Sequence, residues 1–208
     1  MVGTDKIYLC INGGEEKVKK AESRDTDYRI CYLKHEIKEQ EERKNRAGYQ
    51  KAEIAKNVFA FIPKAFIRSP EDYCNSKYLY EYRPKIVYSE MAANCDLLFQ
   101  ETENIPSDLL QAREIAAEAV KNCNKEAIFY GKGFIEAEKI TAGWFEYKDF
   151  AESEPVYNMA FLADPGEKRI FGVFNCLFGS YDKWKPVFLD IIKSIRMEEV
   201  TADEGILD

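Results

Sequence analysis

Histidine is almost missing from this sequence: His35 is the only one in 208 residues. The imidazole is the usual proton shuttle near neutral pH, so a histidine-dependent triad would have to run through His35. Its nearest thiol, Cys31, lies four residues away, a spacing that aligns side chains only on a helix, whereas residues 28–33 read as strand. His35 therefore reads as an exposed polar residue. The six cysteines (Cys10, Cys31, Cys74, Cys95, Cys123 and Cys176) contain no C-x-x-C pair. That excludes the close spacing of zinc sites and small disulfide scaffolds and leaves reduced, mostly buried thiols as the expectation. No apolar run approaches the roughly 20 residues needed to span a bilayer, and the first residues do not lead into the apolar stretch of a signal peptide. The expected compartment is the cytoplasm, or an exported location if a leader has been removed. Excess positive charge is absent too. Thirty Lys and Arg stand against 37 Asp and Glu, for a net charge of −7, and the short cluster Lys17, Lys19 and Lys20 is surrounded by Glu15, Glu16 and Glu22. This excludes the clustered cations of a nucleic-acid surface.

Catalytic and cofactor motifs are also lacking. There is no Walker loop, dinucleotide fingerprint, nucleophile elbow or H-E-x-x-H helix. Asp25-Thr26-Asp27 offers two carboxylates but not the glycine and later glutamate of a calcium loop. Gly131-Lys132-Gly133 has no phosphate-binding flanks and reads as a turn. Asn94-Cys95-Asp96 sets a thiol between polar groups with no neighbouring cation or helix start to activate it, so Cys95 reads as an ordinary buried cysteine. No metal and no cofactor are expected.

What is present is core-forming material: 46% apolar and 13% aromatic residues, in a chain long enough to bury about 70% of its unfolded surface. Residues 1–48 form an N-terminal extension, with β-prone runs at 6–11 and 28–33 and an almost wholly charged stretch at 36–46. Residues 49–198 read as the main domain and 199–208 as an acidic tail. Within the domain, strands are expected at 58–62, 77–83, 85–90 and 96–102. A helix follows, from the N-cap Ser107 to about Asn122, with Leu109, Ala112, Ala116 and Ala119 on one stripe. Strands at 127–131, 139–150, 155–163 and 169–178 come next, the last two joined by the turn Asp164-Pro165-Gly166-Glu167. These two strands are apolar on both faces, which predicts a sheet covered on both sides. A closing helix starts at the N-cap Ser180 and presents Trp184, Val187, Phe188, Ile191, Ile192 and Ile195. The predicted fold class is α+β: an antiparallel sheet with helices on both faces, an α/β/α sandwich, plus the β-containing extension.

Several stretches carry a resemblance: Phe59-Ala60-Phe61-Ile62-Pro63, the mid-chain helix, Gly143-Trp144-Phe145-Glu146-Tyr147, the long hairpin, and the closing segment from Lys185 to Arg196. In this order they resemble the PsbP/DcrB-like fold family over roughly residues 57–197. The resemblance implies an α/β/α sandwich. It also implies a binding or assembly role, since family members include photosystem subunits, a nuclear-transport cofactor and bacterial envelope lipoproteins. No catalytic residue is carried over.

Five tyrosines (Tyr73, Tyr78, Tyr80, Tyr82 and Tyr88) crowd one short segment. On a strand, Tyr78, Tyr80 and Tyr82 share a face, which suits partner recognition; a cross-strand aromatic ladder is the structural alternative. The expected function is a non-enzymatic module that binds a protein partner or an apolar small ligand. The alternative is a hydrolase using paired carboxylates in an aromatic-lined cleft.

Overall fold

The computed structural model describes residues 48–78, 84–102, 108–137, 140–150, 154–166 and 168–198. The N-terminal runs, His35, Cys31, Asp25-Thr26-Asp27, Tyr80, Tyr82 and the acidic tail lie outside the described residues.

Strands β1 (Tyr49–Ala55) and β2 (Val58–Pro63) form a hairpin. Its turn places Asn57 at φ 63°, a left-handed conformation that asparagine tolerates better than most residues. The short β10 (Arg196–Met197) pairs with the other side of β2, giving the order β1-β2-β10. The second sheet has seven strands: β3 (Ile67–Arg68), β4 (Ile86–Glu90), β5 (Cys95–Thr102), β6 (Ile128–Ala137), β7 (Ile140–Phe150), β8 (Pro155–Asp164) and β9 (Arg169–Leu177). Their order is β3-β4-β5-β9-β8-β7-β6, and every pairing is antiparallel. Among the described residues the α-helices are α1 (Glu71–Lys77), α2 (Leu109–Cys123) and α3 (Tyr181–Lys193).

Strand side chains alternate between faces, and here the alternation divides the core in two. On β8, Tyr157, Met159, Phe161 and Ala163 join one apolar cluster, while Ala160 and Leu162 join the other. The second cluster takes Leu109, Ala112, Ala116 and Val120 from α2. The first takes Trp184, Phe188, Ile191 and Ile192 from α3, together with Ile54, Val58, Ala60 and Ile62 of the small sheet. The Pro155–Leu177 ribbon is therefore buried on both sides, as its apolar faces predict. Each fully buried phenylalanine there contributes roughly 1.5–3 kcal/mol. The molecule is α+β and sheet-dominated. Its cover is not made of helices alone, because the three-stranded sheet shares one face with α3.

The structure corrects several local expectations. Residues 49–55 form a strand where the sequence reading places none. Lys77 closes α1 instead of opening a strand, and Tyr78 is that helix's extended C-cap. Asp108, not Ser107, caps α2: its side chain accepts from the Gln111 amide at 2.7 Å. Ser180 precedes α3 as expected, but its hydroxyl donates to the Leu177 carbonyl at 3.0 Å and leaves the helix start uncapped.

Gly131-Lys132-Gly133 is not a turn. It lies inside β6, where the register shifts between Phe129 and Lys132. Its glycines admit close neighbours: a Cβ on Gly131 would sit 2.6 Å from Glu146 Oε1, and one on Gly133 would sit 2.8 Å from the Trp144 ring. Glycine inside a strand commonly marks such an approach. The thiol expectation also changes. Cys95 and Cys176 are buried free thiols, but Cys123 is disulfide-bonded.

Candidate functional site

Among the described residues, the exposed aromatic side chains, Tyr130 and Phe150, lie at one end of the large sheet. Antiparallel register sets Ile128 opposite Lys148, Phe150 opposite Pro155, and Val156 opposite Leu177. The first residues of β6 and β8 and the last residues of β7 and β9 thus meet at the same end, just before α3 begins. On the α3 side of this end, Ile128 is 44% exposed, Tyr130 52% and Phe150 43%. Isolated exposed apolar residues need no explanation, but a contiguous group rimmed by polar residues marks an interaction surface.

The group is continuous with the interior. Tyr130 stacks on Phe178 at 6.0 Å, Phe178 on Tyr181 at 5.2 Å, and Tyr181 packs against the buried Tyr157 at 5.4 Å. Lys148 lies between two of the rings, its ammonium 4.9 Å from the centre of Phe150 and 4.8 Å from that of Phe178. Beside them opens a groove of about 260 Å³ lined by Glu154, Pro155, Leu177, Phe178, Gly179 and Ser180.

Beneath the patch, Glu146 is almost wholly buried. It accepts from the Tyr157 phenol at 2.6 Å and from Lys185 at 2.9 Å. Burial and the adjoining Glu146 carboxylate push the Tyr157 phenol far up from its ordinary value. Tyr157 is therefore a fixed proton donor to Glu146, not a titrating acid.

Two other buried carboxylates face α2. Asp96 is held by Lys77 at 2.5 Å and Tyr78 at 2.8 Å, and Asp149 accepts from the Asn124 amide at 2.6 Å. Each of the three carboxylates is tied to its own cation or donor. Among the described residues, no group of three or more histidine, cysteine, aspartate or glutamate side chains could hold a metal. No helix there is long and apolar enough to cross a membrane.

Of the residues singled out for recognition, Tyr78 is 3% exposed and anchored on Asp96, while Tyr80 and Tyr82 lie outside the described residues. Tyr73 meets Tyr78 below the surface, where Lys77 donates to the Tyr73 phenol oxygen at 3.1 Å and to the Asp96 carboxylate that Tyr78 also reaches, whereas Tyr88 donates to the Glu53 carbonyl at 3.1 Å. Cys95 is fully buried. Burial, and then the neighbouring Cys176, push its thiol well up, away from nucleophilic use. Sequence reasoning misses the aromatic end because its members come from separate strands. The only local signal is Lys148-Asp149-Phe150, where a largely buried strand ends on an exposed aromatic.

No protein-family model matches the chain, and no curated protein matches it. Solved structures do. The solution structure of cyanobacterial PsbP (CyanoP) from Synechocystis sp. PCC 6803 matches with a TM-score of 0.54 at 12% identity, over 73% of this chain and 94% of that one. A mutant of the protein Mog1 matches with a TM-score of 0.51 at 12% identity, over 74% of this chain and 98% of that one. LpqN of Mycobacterium tuberculosis, described as involved in cell envelope biogenesis, matches with a TM-score of 0.46 at 12% identity, over 76% of this chain and 94% of that one. The fold is PsbP/DcrB-like.

Proposed function

We propose that this protein is a non-enzymatic recognition module whose contact surface is the aromatic end of the large sheet, and that its partner is a protein. The observation that carries this reading is the exposed group Ile128, Tyr130 and Phe150, in which Tyr130 is backed by the stack that runs through Phe178 and Tyr181 to the buried Tyr157 and Phe150 lies against the Lys148 ammonium. Aromatic side chains fixed from behind lose little freedom on binding, which makes them effective anchors. The groove beside them, at about 260 Å³, falls below the usual size of a small-molecule pocket, so a protein surface suits it better than an apolar small ligand. The hydrolase alternative finds no support in the buried carboxylates, each of which is held by its own partners.

The tyrosine segment stays in the proposal as a second contact: Tyr78 is the internal anchor, and Tyr80 and Tyr82 follow it. We take residues 49–198 as the folded unit, with 1–48 and 199–208 as appendages. Of the two compartments, cytoplasmic and exported, the bonded Cys123 favours the oxidising one, because disulfides are rare in reducing cytosol.

The test is affinity capture from the native cell with the wild-type chain, a Tyr130→Ala/Phe150→Ala variant and a Tyr80→Ala/Tyr82→Ala variant, each checked for native circular dichroism. The first variant should lose the captured partner. A partner retained in full by that variant would overturn the assignment of this surface.

A further inference from the structure

Among the described residues, every buried or half-buried lysine and arginine other than Lys148 has a carboxylate within ion-pair distance. Lys148 is half-buried and has the rings of Phe150 and Phe178 for company. Partial burial strips a cation of hydration, and ring faces return only part of what water supplied. In a chain of net charge −7, the one partly desolvated cation left without a carboxylate among the described residues is at the centre of the exposed aromatic group.

We infer that Lys148 is a specificity contact, and that the partner segment seated on this surface carries an acidic side chain flanked by apolar residues. This rests on the reading of the aromatic end as the contact surface. The acidic side chain reaches the Lys148 ammonium between Phe150 and Phe178, and the flanking apolar side chains cover Tyr130 and Ile128. Glu154 on the groove wall and Asp182, whose carboxylate accepts from the Tyr181 phenol that stacks on Phe178, repel a second acidic residue placed there. The preferred segment therefore carries its acid at one position, not in a run. A partly desolvated ion pair of this kind orients a partner and rejects mismatched ones more than it adds affinity.

The test is selection from a phage-displayed random-peptide library on the full chain, with each selected peptide re-measured on Lys148→Met and Tyr130→Ala/Phe150→Ala variants. Peptides that need Tyr130 and Phe150, share one Asp or Glu among apolar residues and weaken roughly three- to tenfold on Lys148→Met would bear the inference out. Changing that acid to its amide should give the same loss on wild type and none on Lys148→Met. Peptides that need Tyr130 and Phe150 but show no acidic position, and bind Lys148→Met equally well, would overturn the inference while leaving the surface in place. Peptides indifferent to all three side chains would overturn both.

Discussion

Tyr78 donates its phenol to Asp96 at 2.8 Å, on the same carboxylate oxygen that Lys77 occupies at 2.5 Å. Asp96 is 1% exposed, and the two donors come from the end of α1, so this contact pins a short helix with no buried residue of its own. Lys77→Met leaves a buried carboxylate with one neutral donor. It should cost on the order of 2–3 kcal/mol in denaturant unfolding, less than for a fully buried pair because Lys77 keeps about a third of its side chain exposed. Asp96→Asn in the same background should recover part of that loss; no recovery would mean the charge is not what matters.

The thiols should react in a fixed order. Burial pushes Cys176 up to about 11 and Cys95 well above its ordinary value, so both stay protonated at neutral pH, and the thiolate is the reacting form. A disulfide reagent should label the half-buried Cys74 thiol first and reach Cys95 and Cys176 only on unfolding. Equal rates at all three would contradict the burial described.

Acid sensitivity should be traceable to Glu114. Burial alone would raise its carboxyl, but hydrogen bonds from Lys132 and Arg113 outweigh burial and hold it below the ordinary carboxylate value. A depressed folded-state pKa means stability that is fully present above the unfolded value of roughly 4.3 and lost as pH falls through the lower folded value. The Glu114→Gln variant should be less stable than wild type at neutral pH and should converge with it in acid. A constant difference down to the lowest pH would remove the electrostatic account.

Gly172 is a packing requirement. A Cβ there would stand 2.2 Å from the Phe161 ring and 3.0 Å from the Leu98 carbonyl oxygen, inside a cluster where Phe161 meets Phe174 at 4.9 Å. Gly172→Ala should cost about 1–3 kcal/mol and shift the aromatic resonances of Phe161 and Phe174. Pairing it with Phe161→Leu should return part of the stability.

Legibility follows the reach of the signal. The Asp164-Pro165-Gly166 turn is readable because proline and glycine fix backbone angles locally; Gly166 stands at φ +119°, and the ladder closes from Ala163 opposite Ile170. Helices α2 and α3 are readable from apolar periodicity. Helix α1 is not, because Glu71–Lys77 fully buries none of its residues and the tyrosines beside it carry β propensity. The glycines of β6 mislead because their reason, room for Glu146 and Trp144, lies across the sheet on β7. The aromatic end is invisible for the same cause: Tyr130, Phe150 and Phe178 meet only through strand register, which a linear pattern does not specify.

The Phe61 amide donates to the Ser194 hydroxyl at 2.9 Å, across 133 positions of sequence, and β10 completes the other side of β2. The first hairpin thus waits, during synthesis, for almost the last described segment to leave the ribosome. Until then Ile54, Val58 and Ile62 lack the apolar neighbours that α3 brings. Distant contacts of this kind slow folding and prolong the exposure of sticky surface, so chains cut short before Ser194 should be the ones that aggregate.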